Sequence, residues 1–96
     1  MKYRKNPVVI NAWPVSDLLR FAEHEWTLLP QPIINAYESG SVIFLSEKIL
    51  IETQEGFMRA DKYDMIICGI QGELYPCKPD IFAATYEAIP EQEIEQ

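Results

Sequence analysis

Few side chains in this sequence offer the usual chemistry of a site: two cysteines, Cys68 and Cys77, one histidine, His24, and 8 lysines and arginines against 15 acids. A cysteine nucleophile needs a general base within hydrogen-bond reach. His24 belongs to a helical part of the chain with no motif that places it beside either thiol, and it reads as an exposed helix residue. Two cysteines and one histidine do not furnish the four-ligand spacing of a zinc site, and no C-x-x-C occurs. Carboxylates are plentiful, yet none is paired with a base, nucleophile or metal motif, so the expectation is no enzyme, no metal and no cofactor.

The stretch GELYPCKPDIF, Gly72 to Phe82, poses the sharpest choice, between a reactive thiol in a binding loop and a corner of the chain. The corner is the expectation, because Pro76 and Pro79 withhold backbone donors, ending the last strand near Tyr75 or leaving it as an edge. Asp80 then stands as N-cap of a single helical turn, with Ile81 and Phe82 plugging the core and Lys78 pointing to solvent. Gly69 and Gly72 turn the preceding hairpin, which sets Cys68 and Cys77 on one face, two rows apart and too distant for the roughly 3.5–4.5 Å between β-carbons that a disulfide needs. Pro76, Cys77, Pro79, Asp80 and Phe82 are thus read as scaffold. The residues with something to offer a ligand are Arg59 and Lys78, as holders of a phosphate, and Tyr75 or Tyr86, as stacking platforms for a base. CGIQGE, however, reads as a hairpin turn and not as a Gly-rich phosphate loop. Tyr63, with Trp13 or Trp26, is a candidate aromatic for a protein-binding patch, although the tryptophans also suit the seam between helix and sheet.

The elements that must position these residues follow from periodicity. β-Branched residues after Pro7 predict a strand over Val8 to Trp13. Val15, Leu18, Leu19, Ala22 and Trp26 fall on one helical stripe, with Ser16 as N-cap and Asp17 in the first turn. LLPQP ends that helix, and a short second one is predicted over Ile33 to Glu38, closed by Gly40, with Ile33, Ala36 and Tyr37 facing inward. After Gly40 the period drops to two. SVIFL, ILIET, FMRA, MIICG and ELY, separated by turn residues, predict a meander of short antiparallel strands that curls into a twisted sheet or partly open barrel, and a final strand is expected at Tyr86 to Ile89. The fold class expected is α+β: a small antiparallel β-meander or partly open barrel carrying one amphipathic helix and a second short one.

With 96 residues, 48% of them apolar, the chain makes one small ordered domain over 1–89, followed by an acidic disordered tail over 90–96. The net charge of −7 disfavours general nucleic-acid binding. Four of the acids crowd the last ten positions, leaving only about −3 elsewhere, too little for a surface that mimics nucleic acid. The cluster Lys2, Arg4 and Lys5 reads as solvation of a strand start. No apolar run approaches the ~20 residues of a membrane helix, and the first residues lack a secretory pattern, so a cytoplasmic protein is expected.

KYRKNPVVINAW at the start and IETQEGFMRADKYDMIICGIQGELYPCKPDIFAATYE in the second half resemble a family of small proteins of tailed bacteriophages and prophages. Its members begin Tyr-Arg-Lys-x-Pro-Val and close on a block matched here by Ile66, Ile67, Gly69, Gly72, Glu73, Tyr75, Cys77, Pro79, Asp80, Ile81, Phe82, Thr85 and Tyr86. The family has a Gly-Asp turn where this chain has Tyr63 before Asp64, and tyrosine tolerates a positive φ poorly. No settled activity attaches to the family, so the resemblance implies a setting, the cytoplasm of a bacterial host, more than a mechanism. The expectation is a non-enzymatic accessory protein that binds a host protein, for instance in counter-defence. The alternatives are an oligomeric trap for a small nucleotide signal and, weakest, a small enzyme. An exposed edge beside Pro76 invites self-association.

Overall fold

Prolines set the helix starts. In a computed structural model, which describes residues 1–4 and 7–90, α1 (Val15–His24) begins directly after Pro14, whose φ of −65° is already helical in kind. Ser16 therefore lies inside the first turn and caps nothing by its side chain, a correction to its predicted role, while Asp17 does sit in that turn and pairs with Arg20 at 3.1 Å. Val15 and Leu18 are fully buried, and Leu19 and Ala22 pack partly against the core. Glu25 ends the helix by donating its N–H to the Phe21 carbonyl at 2.8 Å, and a 3-10 turn, Trp26–Leu28, follows.

α2 (Gln31–Glu38) starts after Pro30, two residues earlier than predicted, with Pro32 in its first turn, where a missing donor costs nothing. Its end is a paired carbonyl cap around Gly40, which alone relieves the φ of +84°. Ser41 N–H reaches Ala36 O at 2.7 Å and Gly40 N–H reaches Tyr37 O at 3.1 Å. Ile33 is buried and Ala36 partly so, but Tyr37 faces outward, contrary to the inward position expected for it.

β2 (Val42–Phe44), β3 (Lys48–Thr53) and β4 (Gly56–Asp61) form one antiparallel sheet, with Val42 opposite Ile51 and Ile51 opposite Met58. There the meander breaks. A turn over Asp61–Asp64, closed by Asp64 N–H to Asp61 O at 2.9 Å, sends β5 (Met65–Cys68) away from β4. Val15 N–H then captures the Asp64 carbonyl at 2.9 Å, which holds the start of β5 beside the strand that feeds α1. β5 accordingly pairs with β1 (Asn11–Pro14) on one side and β6 (Leu74–Cys77) on the other, giving the order β1-β5-β6. The fold is α+β: among the described residues, three helices and two small three-stranded antiparallel sheets, neither closed into a barrel. The first strand lies over Asn11–Pro14 and not Val8 to Trp13, because its pairing with β5 is what defines it.

The main core lies between α1, α2 and the facing sides of the two sheets, built on Val15, Leu18, Ile33, Val42, Ile49 and Ile66 among others, with Trp13 packed at its border. Ile67 alternates to the opposite side of β5 and is also buried, in a second, thinner layer. α3 (Pro79–Thr85) brings Phe82 to stack on Tyr86 at 5.1 Å. Three expectations for this end of the chain are corrected. Pro79 takes the first helical position, so the cap residue is Lys78 and Asp80 stands in the first turn without a capping bond. Ile81 is exposed and Phe82 only half-buried, so neither plugs the main core. Tyr86 to Ile89 adopt no strand. Lys5 of the basic cluster and positions 91–96 of the predicted tail lie outside the described residues.

Candidate functional site

Arg59 on β4, Tyr63 in the following turn and Lys78 after β6 come together around the Asp61–Asp64 turn, but as a staple more than a receptor. Asp64 is only 4% exposed. Its Oδ2 accepts the Asp61 backbone N–H at 2.9 Å and the Lys78 ammonium at 3.0 Å, while Lys78 also reaches Asp61 Oδ2 at 3.3 Å and Arg59 Nε reaches Asp61 Oδ1 at 3.0 Å. Lys78 therefore does not simply point to solvent as predicted. Its hydrogen bonds to Asp64 and then Asp61 hold the amine's pKa above its ordinary value. The charges of both cations are taken up by the two aspartates, which leaves little for a phosphate. Tyr63 is exposed at the turn with the Lys62 ammonium 5.7 Å over its ring, and its φ is not positive, so the turn is of a kind that accepts tyrosine.

Tyr75 and Tyr86 meet on the outer side of the β1-β5-β6 sheet. Burial first, and then the neighbouring Tyr86 hydroxyl, push the Tyr75 phenol up to about 12. The folded protein thus keeps this proton after an unfolded chain has lost its own near 10. The associated stability is whole below pH 10 and is lost as pH rises through 12, and partial exposure reduces it to about 1–2 kcal/mol. Urea titrations at pH 9 and pH 11 are expected to show a smaller loss for Tyr75→Phe than for the unaltered chain.

The two thiols do not share a face. Met65 is opposite Cys77 and Cys68 opposite Leu74, a register one residue away from the predicted one, and a one-residue slip exchanges faces. Both cysteines are free, burial pushes both thiols up, and the Cys77 thiol donates to the Lys78 carbonyl at 3.6 Å. His24 approaches Glu23 at 3.6 Å. The slipped register comes from the turn. Gly69 N–H bonds Glu73 O at 2.8 Å, Gly72 takes φ +83°, and the Glu73 carboxylate folds over Gly69 and accepts the Gln71 N–H at 3.0 Å. A β-carbon on Gly69 would stand 2.5 Å from that carboxylate. The glycines thus serve a turn filled by an anion, not a phosphate cradle. Pro76 lies on β6, an edge strand, where its missing donor is tolerated. Among the described residues no cluster of His, Cys, Asp and Glu is placed to hold a metal.

Two further surfaces remain. On the β2-β3-β4 sheet the outward positions carry Ile43, Leu50 and Phe57 beside Lys48, Glu52, Arg59 and Asp61, with Ile43 opposite Leu50, Leu50 opposite Arg59 and Phe57 opposite Glu52. Ile43 and Leu45 are each 40% exposed and Phe57 is 52% exposed. At the border of β2, Trp26, Tyr37 and Phe44 form an aromatic triangle with centroids 5.0–5.9 Å apart, next to a hollow of about 160 Å3 that Leu45 shares with Leu19 and Ala22. Trp26 is thus half outside the seam that Trp13 does fill. The signal was present in the sequence: Val42 to Leu45 and Ile49 to Ile51 are apolar at both parities, whereas a strand with one wet face should alternate. At the Glu52 end of this sheet an open groove of about 680 Å3 runs between α2 and the β5–β6 turn, bordered by Asn35, Ser39, Ser41, Glu52, Glu73 and Leu74. Comparison of the chain with protein-family models, with curated proteins and with solved structures returns no match.

Proposed function

We propose that this chain is a non-enzymatic accessory protein, of the tailed-phage kind its sequence resembles, which binds a protein of the bacterial host through the outward face of β2-β3-β4. The observation that carries the reading is the set of Ile43, Leu50 and Phe57 on one side of that sheet, with Ile43 40% and Phe57 52% exposed. Contiguous exposed apolar side chains on a small monomer mark interaction sites, and aromatic anchors supply most of the energy of such contacts. Interference with a host antiviral system is the setting that the resemblance suggests. The nucleotide-trap alternative draws no support from Arg59 and Lys78, whose charges Asp61 and Asp64 already engage.

Ile43→Glu and Phe57→Glu test the reading, because both positions are exposed and far from the core side of the sheet. Each variant should keep the far-UV spectrum and melt within a few degrees of the parent. Each should lose about 30-fold or more in affinity for any host protein that the parent enriches from lysate, as expected for a hot-spot residue worth about 2 kcal/mol. A host protein captured equally well by parent and variants, or none captured at all, overturns the proposal.

A further inference from the structure

The apolar face and the groove share a residue. Glu52 stands on the outward side of β3, between Leu50 and the neighbouring Phe57, and also borders the groove beyond the end of the sheet. Across that groove is Glu73, and the other polar groups there, Asn35, Ser39 and Ser41, are uncharged; its border holds no lysine or arginine among the described residues. The Glu52 carboxylate is fixed by the Ser41 hydroxyl at 3.1 Å and that of Glu73 by the Gln71 N–H at 3.0 Å, which leaves each with further acceptor capacity. Arg59 stands opposite Leu50 on the same face, but its guanidinium is paired with Asp61 at 3.0 Å, so the unpaired charge nearest Leu50 and Phe57 is that of the two glutamates, and such a surface selects a partner with the matching pattern.

We infer that the partner presents an apolar side chain to Leu50 and Phe57 and, on the same segment, an arginine that enters the groove between Glu52 and Glu73. Arginine suits the place better than lysine. Its planar fork of donors engages two carboxylates and neighbouring hydroxyl or amide acceptors together, and its weaker hydration lowers the penalty for leaving water. A second copy of this chain does not suit it, because each copy brings a net charge of −7. The inference rests on the protein-binding reading of the sheet face and adds the chemistry of the partner.

The test uses two ten-residue synthetic peptides, one alternating leucine with arginine and one alternating leucine with glutamate. Titration followed by amide chemical shifts should give saturable shifts centred on Leu50, Glu52, Phe57 and Glu73 with the first peptide and none with the second. The double variant Glu52→Gln/Glu73→Gln should weaken the first peptide about tenfold. Glu23→Gln/Glu25→Gln, which removes the same charge from the far end of α1, should leave affinity within twofold. Equal weakening by both double variants, shifts scattered over all acidic residues, or a concentration-dependent dimer that blocks the face each overturns the inference. The two readings separate cleanly. If only the partner chemistry is wrong, Phe57→Glu still loses the host protein while the Glu52/Glu73 variant keeps it. If the face itself is wrong, Phe57→Glu keeps it.

Discussion

Asp64→Ala is expected to destabilise the protein by about 3 kcal/mol, more than any other exchange of a charged residue near the Pro-Cys-Lys-Pro corner. The carboxylate is almost completely withdrawn from water and serves two donors. Its removal leaves the Asp61 N–H without an acceptor beneath the turn, which is the expensive half of losing a hydrogen bond, and deprives Lys78 of the nearer of its two partners. The damage spreads, because the same turn presents the Asp64 carbonyl to Val15 and so fixes the start of α1 against β5. Asp64→Asn keeps an acceptor for the Asp61 N–H and should lie about halfway between the parent and the alanine variant. Lys78→Met should be milder than either, since the Lys78 side chain is more than half exposed and the Asp64–Asp61 bond survives without it. Urea melts of the three variants decide the order, and an alanine variant within about 0.5 kcal/mol of the parent would remove the staple from the account.

Leu18→Ala should lower stability by about 3 kcal/mol. Leu18 is fully buried on the inward stripe of α1 among Ile33, Ile49 and Ile66, so truncation removes apolar contact and leaves a cavity that backbone from two sheets and two helices cannot collapse to fill. A domain of this size has only about 5–14 kcal/mol in total, so the loss is a sizeable part of the whole. The denaturation midpoint should fall with little change in slope. Ile43→Ala gives the contrast. The residue is as apolar, but at 40% exposure its loss should change stability by less than about 0.5 kcal/mol while weakening partner binding.

Leu18 illustrates what could be read from the residues alone. The stripe from Val15 to Ala22 and the cap at Gly40 are local features, each decided within a turn or two of chain, and they mark the start of α1 and the end of α2. α1 stops at His24, short of the expected stop at LLPQP and of Trp26, which lies in the 3-10 turn and not on the helical stripe. The Asp64–Lys78 pair was hidden because it joins positions fourteen apart in sequence through a turn whose course depends on where α1 begins. The break between the two sheets was hidden for the same reason. Its cause is the capture of β5 by β1, a pairing across most of the chain that no short window contains. Cys68 and Cys77 were set on one face by a turn assumed one residue different in length, an error the Glu73 carboxylate over Gly69 explains. The start of α3 was legible after all: proline favours the first helical position, so Pro79 outranks Asp80 as a marker of the boundary. The exposed face was missed for a different reason. A strand that is apolar at both parities satisfies the alternating pattern as well, so its second apolar face is not visible from periodicity alone.

Along β2, β3 and β4 the inward positions, such as Val42, Ile51 and Ala60, interleave one by one with Ile43, Leu50 and Phe57. Neighbouring letters of the sequence therefore answer to separate demands, one to the folding of the molecule and the next to whatever it meets. Mutation at every second position is free to change what the surface displays without loosening the body that carries it.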